Sequence, residues 1–331
     1  MRIIVVGGTR FIGRPLVNEL MQHGHSVTVL SRNATSARAL VPSSVACINW
    51  DPCSAGVWEN VFEDADAVIN LAGEPIAEKR WTAARKRLIW ESRVSATRAV
   101  VEALRSHATK PCVLVNASGI GYYGAREDDP LDEGAVRGTG FLADLCLAWE
   151  AEAMRAAELG TRVVLLRTGM VLEADGGALA KMLLPFRLFV GGPIMPGTQW
   201  VSWIHRSDHL SLIQWVLTRP SVSGPINAVA PESVRMNRFC EVLGRILQRP
   251  SWLPIPGFAL KMLLGELGTI MTTGQWVIPA KALANGYRFQ YPALETALRA
   301  VLTRTMASGP LSTRHDRRPT IHGPVASYQE D

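Results

Sequence analysis

Residues 2–33 read RIIVVGGTRFIGRPLVNELMQHGHSVTVLSRN, and this stretch decides the fold. Arg2 to Val6 is a run rich in β-branched residues that opens directly into Gly7-Gly8-Thr9-Arg10-Phe11-Ile12-Gly13, then into an amphipathic stretch from Pro15 to His23. The pattern is strand, tight turn, helix. Glycines in such a turn let the backbone bend sharply and bring its amides close to a pyrophosphate at the positive end of the helix dipole. A second strand, Ser26 to Leu30, ends on Ser31-Arg32. Folds of this kind that bind NAD commonly place a carboxylate here, where it accepts hydrogen bonds from the adenosine ribose. Arg32 is a cation that suits a 2′-phosphate, so the residues favour NADP(H) over NAD.

Outward from this unit, strand-like and helix-like stretches alternate: Val45 to Asn49, Ala67 to Leu71, a helix from Thr82 to about His107, Cys112 to Ala117, a helix from Gly140 to Leu159, and Arg162 to Arg167. That alternation predicts an α/β fold, a Rossmann-type doubly wound parallel sheet with helices on both faces. After about Leu172 the texture turns to glycine, proline and tryptophan, as in GGALAKMLLPFRLFVGGPIMPGTQWVSWIH. The expected organisation is an NADP-binding domain over 1–172, with a strand near 226–229 returning to its sheet, and a smaller C-terminal substrate lobe over 173–304. From 305 to 331 Ser, Pro, Arg and His replace apolar periodicity, and a disordered tail is expected.

Composition narrows the function classes. A chain of 331 residues that is 47% hydrophobic can bury a sizeable core. It opens on a core strand without a charged leader, and no stretch approaches the ~18 uninterrupted apolar residues of a membrane span, so a cytoplasmic protein without a membrane partner is expected. The five cysteines, Cys47, Cys53, Cys112, Cys146 and Cys240, form no C-x-x-C pair, which argues against a disulfide framework and against a thiolate zinc site; no metal is expected. The net charge of +6 is dispersed along amphipathic helices and in Arg314, Arg317 and Arg318, so it reads as solvated faces, and no nucleic-acid partner is expected.

Further along stand NLAGEPI at Asn70 to Ile76, KRWTAARKRLIWESR at Lys79 to Arg93, ASGIGYYG at Ala117 to Gly124 and GFLADLCLAWE at Gly140 to Glu150. PFRLFVGGP, WVSWIH, RPSWLPIPGF and GELGTIMTTGQWVIPAKALANGYRF follow. In this order, over about Met1 to Leu302, the chain resembles the atypical short-chain dehydrogenase/reductase family 39U, often labelled an epimerase family. The resemblance implies an extended-type fold and NADP(H) held by the turn residues Gly7, Thr9, Arg10, Phe11, Ile12 and Gly13, by Ser31 and Arg32, by Leu71, Ala72 and Gly73, by Leu88 and Arg93, and by Val171. It also implies an oxidoreductase or epimerase acting on a small polar or nucleotide-sugar-like molecule. The alternative is a non-catalytic NADP(H)-binding sensor or scaffold, associated with division in some relatives. Extended relatives often pair through helices of the main domain, so a homodimer is a further expectation.

Two departures from the family of short-chain dehydrogenases bear on chemistry. Relatives resemble one another in GGTGFIG, whereas Arg10 replaces the middle glycine here. Its side chain is expected to swing outward, either to fork onto a phosphate or to stand as an exposed cation. The second departure concerns the Tyr-x-x-x-Lys helix, whose lysine tunes the tyrosine that exchanges a proton with substrate. Alignment on Trp149-Glu150 puts Leu142 and Cys146 at those two positions, and neither can do that work. Ser118, Tyr122 and Tyr123, at the end of a strand in the crevice of the sheet, are the candidate catalytic replacements.

Several charged residues complete the candidate set. Arg93 shares a helical stripe with Ile89, Thr97, Val100 and Leu104 that should face the sheet, so its cation needs a cofactor phosphate, Glu74 or a substrate carboxylate, unless it snorkels from a helix edge. Glu74, Lys79 and Lys86 are further polar groups near the cleft. In WVSWIHRSD, Trp200, Trp203, His205 and Asp208 are read as mainly architectural, with His205 an outside candidate for an acid.

Overall fold

The computed structural model describes residues 1–54 and 56–307, with side chains to 303. Its first half runs β1 Arg2–Val6, α1 Gly13–Gln22, β2 Ser26–Ser31, α2 Ala34–Arg38, β3 Ala46–Asn49, β4 Ala67–Asn70, α3 Ala83–Ser106, β5 Val113–Gly119, α4 Phe141–Met154 and β6 Arg162–Thr168. The second half runs β7 Met170–Leu172, α5 Gly177–Arg187, β8 Trp200–Val201, β9 Trp203–His205, α6 Arg206–Leu217, β10 Gly224–Ala228, β11 Val234–Arg235, α7 Met236–Leu247, α8 Gly257–Leu264, α9 Glu266–Met271, α10 Ala280–Ala284 and α11 Leu294–Ala307.

Seven strands form one parallel sheet in the order β10-β6-β5-β4-β1-β2-β3. Ile3 and Val5 of β1 enter the core shared with α1 and α6, while Ile4 and Val6 enter the opposite core shared with α3. A strand buried on both faces must be apolar at every position, which is why β1 reads as an unbroken hydrophobic run. The chain winds outward from β1 through β2 to β3, then crosses back to β4 on the other side of β1. This reversal leaves a crevice beyond the carboxyl ends of β1 and β4, where open α/β sheets bind ligands.

Local signals set the element ends near that crevice. Thr82 caps α3 by accepting a 3.1 Å hydrogen bond from the Arg85 amide. Gly140, at φ +98°, turns the chain into α4 through backbone that favours glycine. The helix expected over Gly140 to Leu159 divides, because α4 stops at Met154 and a short 3-10 turn, Ala157–Leu159, follows. Of the tail expected from 305, residues 305–307 complete α11, and the remainder lies outside the described residues.

The smaller C-terminal region has its own core, in which Leu179, Leu183 and Phe186 of α5 meet Phe239 and Leu243 of α7 and Leu298 of α11. Asp208 and His205 fasten it to the sheet. The buried Asp208 carboxylate accepts backbone amides from Gln290 at 2.7 Å and Tyr291 at 2.9 Å, and His205 stacks on Tyr291 at 4.0 Å while capping α6 through the Ser207 amide. Among the described residues no helix is long and apolar enough to cross a membrane.

Candidate functional site

A groove of about 300 Å³ lies in the crevice. Gly7, Thr9 and Arg10 enter it from the turn after β1, Ser31 and Arg32 from the end of β2, and Leu71, Ala72, Gly73 and Glu74 from the end of β4. The turn is bare backbone by necessity. A Cβ on Gly7, which sits at φ +84°, would lie 2.9 Å from the Leu71 carbonyl oxygen, and one on Gly13 would lie 2.2 Å from the Gly7 carbonyl oxygen. A side chain at either would fill the cradle or break the turn.

Other residues named from the sequence stand around the groove instead of on its wall. The Phe11 ring is wedged against Gly176 and Gly177 at the start of α5, with the Arg206 guanidinium 5.4 Å above it. Val171 is buried in β7. Leu88 is largely exposed, on the α3 stripe that continues through Ser92 and Ala96, both of which do line the groove. Sequence reasoning missed Trp50, a buried ring on the wall just after β3. Its signal was available: β3 is parallel to β2, so the residue after β3 also reaches the carboxyl edge of the sheet.

Charge at this end converges on one carboxylate. Glu74 is approached by Arg32 at 3.2 Å, Arg85 at 3.6 Å and Arg10 at 3.9 Å. Arg10 does swing outward, with its side chain 54% exposed. Arg93 is buried and does not snorkel: it donates to the backbone carbonyls of Ile89 at 3.1 Å and Glu74 at 2.9 Å and to Ser92 Oγ at 3.4 Å. Burial pushes its guanidinium pKa down to about 10. It also fixes Gly73, where a Cβ would come within 2.9 Å of the Arg93 Cζ.

The loop after β5, beyond the groove wall, is built differently. Leu142 packs on Gly121 and the Cys146 thiol points at the Gly119 carbonyl, 3.6 Å away, so both flank the loop that follows β5. Burial pushes the Cys146 thiol up to about 11. Ser118 donates its only hydroxyl proton to Glu150 at 2.6 Å. Glu150 in turn accepts two hydrogen bonds from Arg167, at 2.9 and 2.8 Å, and Arg167 donates to the Tyr123 hydroxyl at 3.1 Å. Burial opposes charge on Arg167, but the Glu150 bonds outweigh it and hold its pKa above the ordinary value.

Two candidate catalysts are therefore corrected. Tyr123 is fully buried, donates to Asn227 at 2.7 Å, and is pushed by burial up to about 12, so its phenol is sealed inside. Ser118 has its proton committed to a carboxylate and has none to offer a carbonyl. Tyr122 remains at the loop, half-buried, with the Arg167 guanidinium stacked 3.5 Å from its ring centre. Sequence reasoning used Glu150 only as an alignment mark and did not single out Arg167, because a buried pair 17 residues apart leaves no local pattern.

Polar groups on the rim tie the small region to α3 and to the loop before it. Lys86 pairs with Glu266 of α9 at 2.7 Å, and Lys181 of α5 donates to the Ala77 carbonyl at 2.6 Å. Lys79 is exposed. His205 and His209 stand four residues apart, a spacing that can serve a metal, but His205 caps α6 and His209 meets Thr168 at 3.0 Å. Among the described residues no group of three or more His, Cys, Asp or Glu is placed to hold a metal ion.

This assembly has relatives. Residues 3–229 match the NAD dependent epimerase/dehydratase family, and residues 255–301 match a domain of unknown function, DUF1731. The chain belongs to this epimerase family. Within it, the chain is 42% identical over 310 residues to the chloroplastic SDR39U1 homolog of Arabidopsis thaliana, spanning 91% of this chain and 87% of that one. The crystal structure of human epimerase family protein SDR39U1 with NADPH superposes with a TM-score of 0.80 at 32% identity, covering 92% of this chain and 99% of that one. A nucleoside-diphosphate sugar epimerase from Corynebacterium glutamicum gives a TM-score of 0.73 at 29% identity, with 91% of this chain and 58% of that chain covered. The epimerase-family resemblance legible in the sequence motifs is thereby established, as is the Rossmann-type fold with a smaller C-terminal domain.

Proposed function

We propose that this chain binds NADP(H) and works as an NADP(H)-dependent oxidoreductase or epimerase on a small polar, nucleotide-sugar-like substrate. The observation that carries the reading is the groove at the reversal of strand order, where a cradle too tight for any Cβ at Gly7 or Gly13 meets two outward arginines, Arg10 and Arg32. A bare-backbone turn suits a pyrophosphate, and Arg32 at the end of β2 suits a 2′-phosphate. The human relative crystallised with NADPH supports the choice of cofactor, and the C. glutamicum relative supports the substrate class. Five unpaired cysteines, two of them exposed, suit a reducing cytoplasm.

When bound, the nicotinamide would supply hydride exchange. The chain's own part is to hold and polarise. Gly7 to Gly13, Ser31, Arg32 and Leu71 to Gly73 form the cradle, and Arg93 stiffens its wall from behind. With Tyr123 sealed and Ser118 committed to Glu150, Tyr122 is the phenol left to move a proton at its Oη, and Arg167 stacked on its ring holds that ring in place.

Calorimetric titration of the purified protein with NADPH and NADH tests the reading. Wild type should prefer NADPH, and Arg32→Ala should weaken NADPH about 10- to 100-fold, the worth of a charge-assisted fork, while leaving NADH nearly unchanged. Equal affinity for both cofactors in wild type would refute it.

A specific observation favours a second reading, a non-catalytic NADP(H)-binding sensor or scaffold. The positions of the catalytic Tyr and Lys hold Leu142 and Cys146, packed on the loop after β5, and one of the two loop phenols is buried. NADPH binding without oxidation of the nicotinamide across carbonyl and sugar-nucleotide substrates would select it.

A further inference from the structure

Glu74 holds a position that neither the glycine turn nor the end of β2 explains. Its backbone is pinned from both sides by α3: its amide donates to Ser92 Oγ at 3.0 Å and its carbonyl accepts from Arg93 at 2.9 Å. The carboxylate is thereby fixed on the groove wall, with its side chain only 16% exposed. Of the three arginines around it, Arg85 is nearly buried and also donates to the Pro75 carbonyl at 2.5 Å. Arg10 and Arg32 are more than half exposed and reach Glu74 across the mouth of the groove.

One carboxylate is thus shared by the buried Arg85 and by the two exposed cations that a nucleotide phosphate would need, and offsets part of their charge. We infer that Glu74 is the resident counter-ion of the groove and sets how strongly it discriminates a 2′-phosphorylated nucleotide from an unphosphorylated one. The inference rests on the NADP(H) reading above. A 2′-phosphate dianion that engages Arg32 must take it from Glu74 or share it, and either way two like charges sit within a few ångströms in a half-buried site. An unphosphorylated ribose leaves the Arg32–Glu74 pair intact and meets no such opposition. Arg85 is the fixed member that keeps the carboxylate in place when Arg10 and Arg32 move away.

The test uses 2′,5′-ADP and 5′-AMP as probes in calorimetric titrations of the full chain, so that binding is read without turnover. Glu74→Gln keeps a side-chain oxygen for Arg85 while removing the charge. It should tighten 2′,5′-ADP about tenfold, the order of one relieved charge pair at intermediate dielectric, and move 5′-AMP by about threefold or less. Because Arg85 loses its ion pair in that variant, Glu74→Asp provides an independent check. It keeps the charge, withdraws it from Arg10 and Arg32, and should give a smaller gain of the same sign in a protein with an unchanged thermal midpoint. Weaker 2′,5′-ADP binding in both variants, or equal changes for the two probes, would overturn the inference while leaving the cofactor reading standing. A wild-type protein that does not distinguish the probes at all would overturn the NADP(H) reading, and this inference with it.

Discussion

The two ends of the candidate site, the groove and the loop after β5, are held by opposite means. At the arginine-lined end, Arg10 and Arg32 are exposed and share Glu74 loosely, at 3.9 and 3.2 Å. At the other end, Ser118, Glu150, Arg167, Tyr123 and Asn227 form a closed chain of hydrogen bonds between 2.6 and 3.1 Å with almost no access to solvent. Exposed ion pairs contribute little stability and can exchange partners, whereas a buried pair that loses one member leaves an uncompensated charge. The first end is therefore free to trade ligands, and the second is a rigid brace behind the loop of Tyr122.

The comparison is most open to attack at the brace. Arg167→Met leaves Glu150 buried without its partner and should lower stability by about 3–5 kcal/mol in urea unfolding, and adding Glu150→Gln should recover part of the loss. A cost below about 1 kcal/mol would mean that the pair braces nothing. Arg32→Ala, by contrast, should leave the urea midpoint where it is.

Next in size is a pH effect from His209, fully enclosed beneath the end of β6, whose pKa burial lowers from 6.5 to about 4. The unfolded chain takes up a proton that the folded state refuses. Its contribution is complete above pH 6.5 and is lost as pH falls toward 4, amounting to about 2 kcal/mol between pH 8 and pH 5. Unfolding measured at both values should show this slope, and His209→Gln should flatten it; an unchanged slope would assign the effect to other groups.

A smaller structural effect but a larger kinetic one is expected from Tyr122→Phe. The ring keeps its stack with Arg167, so the melting temperature should hold, while removal of the hydroxyl should lower turnover about 100-fold if this phenol moves the proton. Full turnover in the variant would rule Tyr122 out. The gentlest probe is alkylation near neutral pH: Cys53 and Cys112 are exposed and should react in the native protein, whereas the buried Cys146, with its thiol pushed up to about 11, should react only on unfolding. Modification of native Cys146 would show that the second end opens.

Sequence alone determined the arginine-lined end because its parts are local. Each strand of a parallel sheet delivers the residue after it to the same edge, so reading Val6 into Gly7 and Leu30 into Ser31-Arg32 names part of the wall without a fold in hand, while Leu71, Ala72 and Gly73 were implied by the family resemblance. The alternation of elements likewise pointed to the parallel sheet, with a helix expected from Thr82 where α3 begins at Ala83. Tertiary structure decided the rest. That Arg93 bonds to the Glu74 carbonyl depends on how α3 meets the loop after β4, and that Ser118 spends its proton on Glu150 and that Tyr123 is sealed while Tyr122 is not depend on which groups meet across β5, α4, β6 and β10. A buried polar group takes whichever partner packing brings within about 3 Å, and sequence spacing carries no record of that choice.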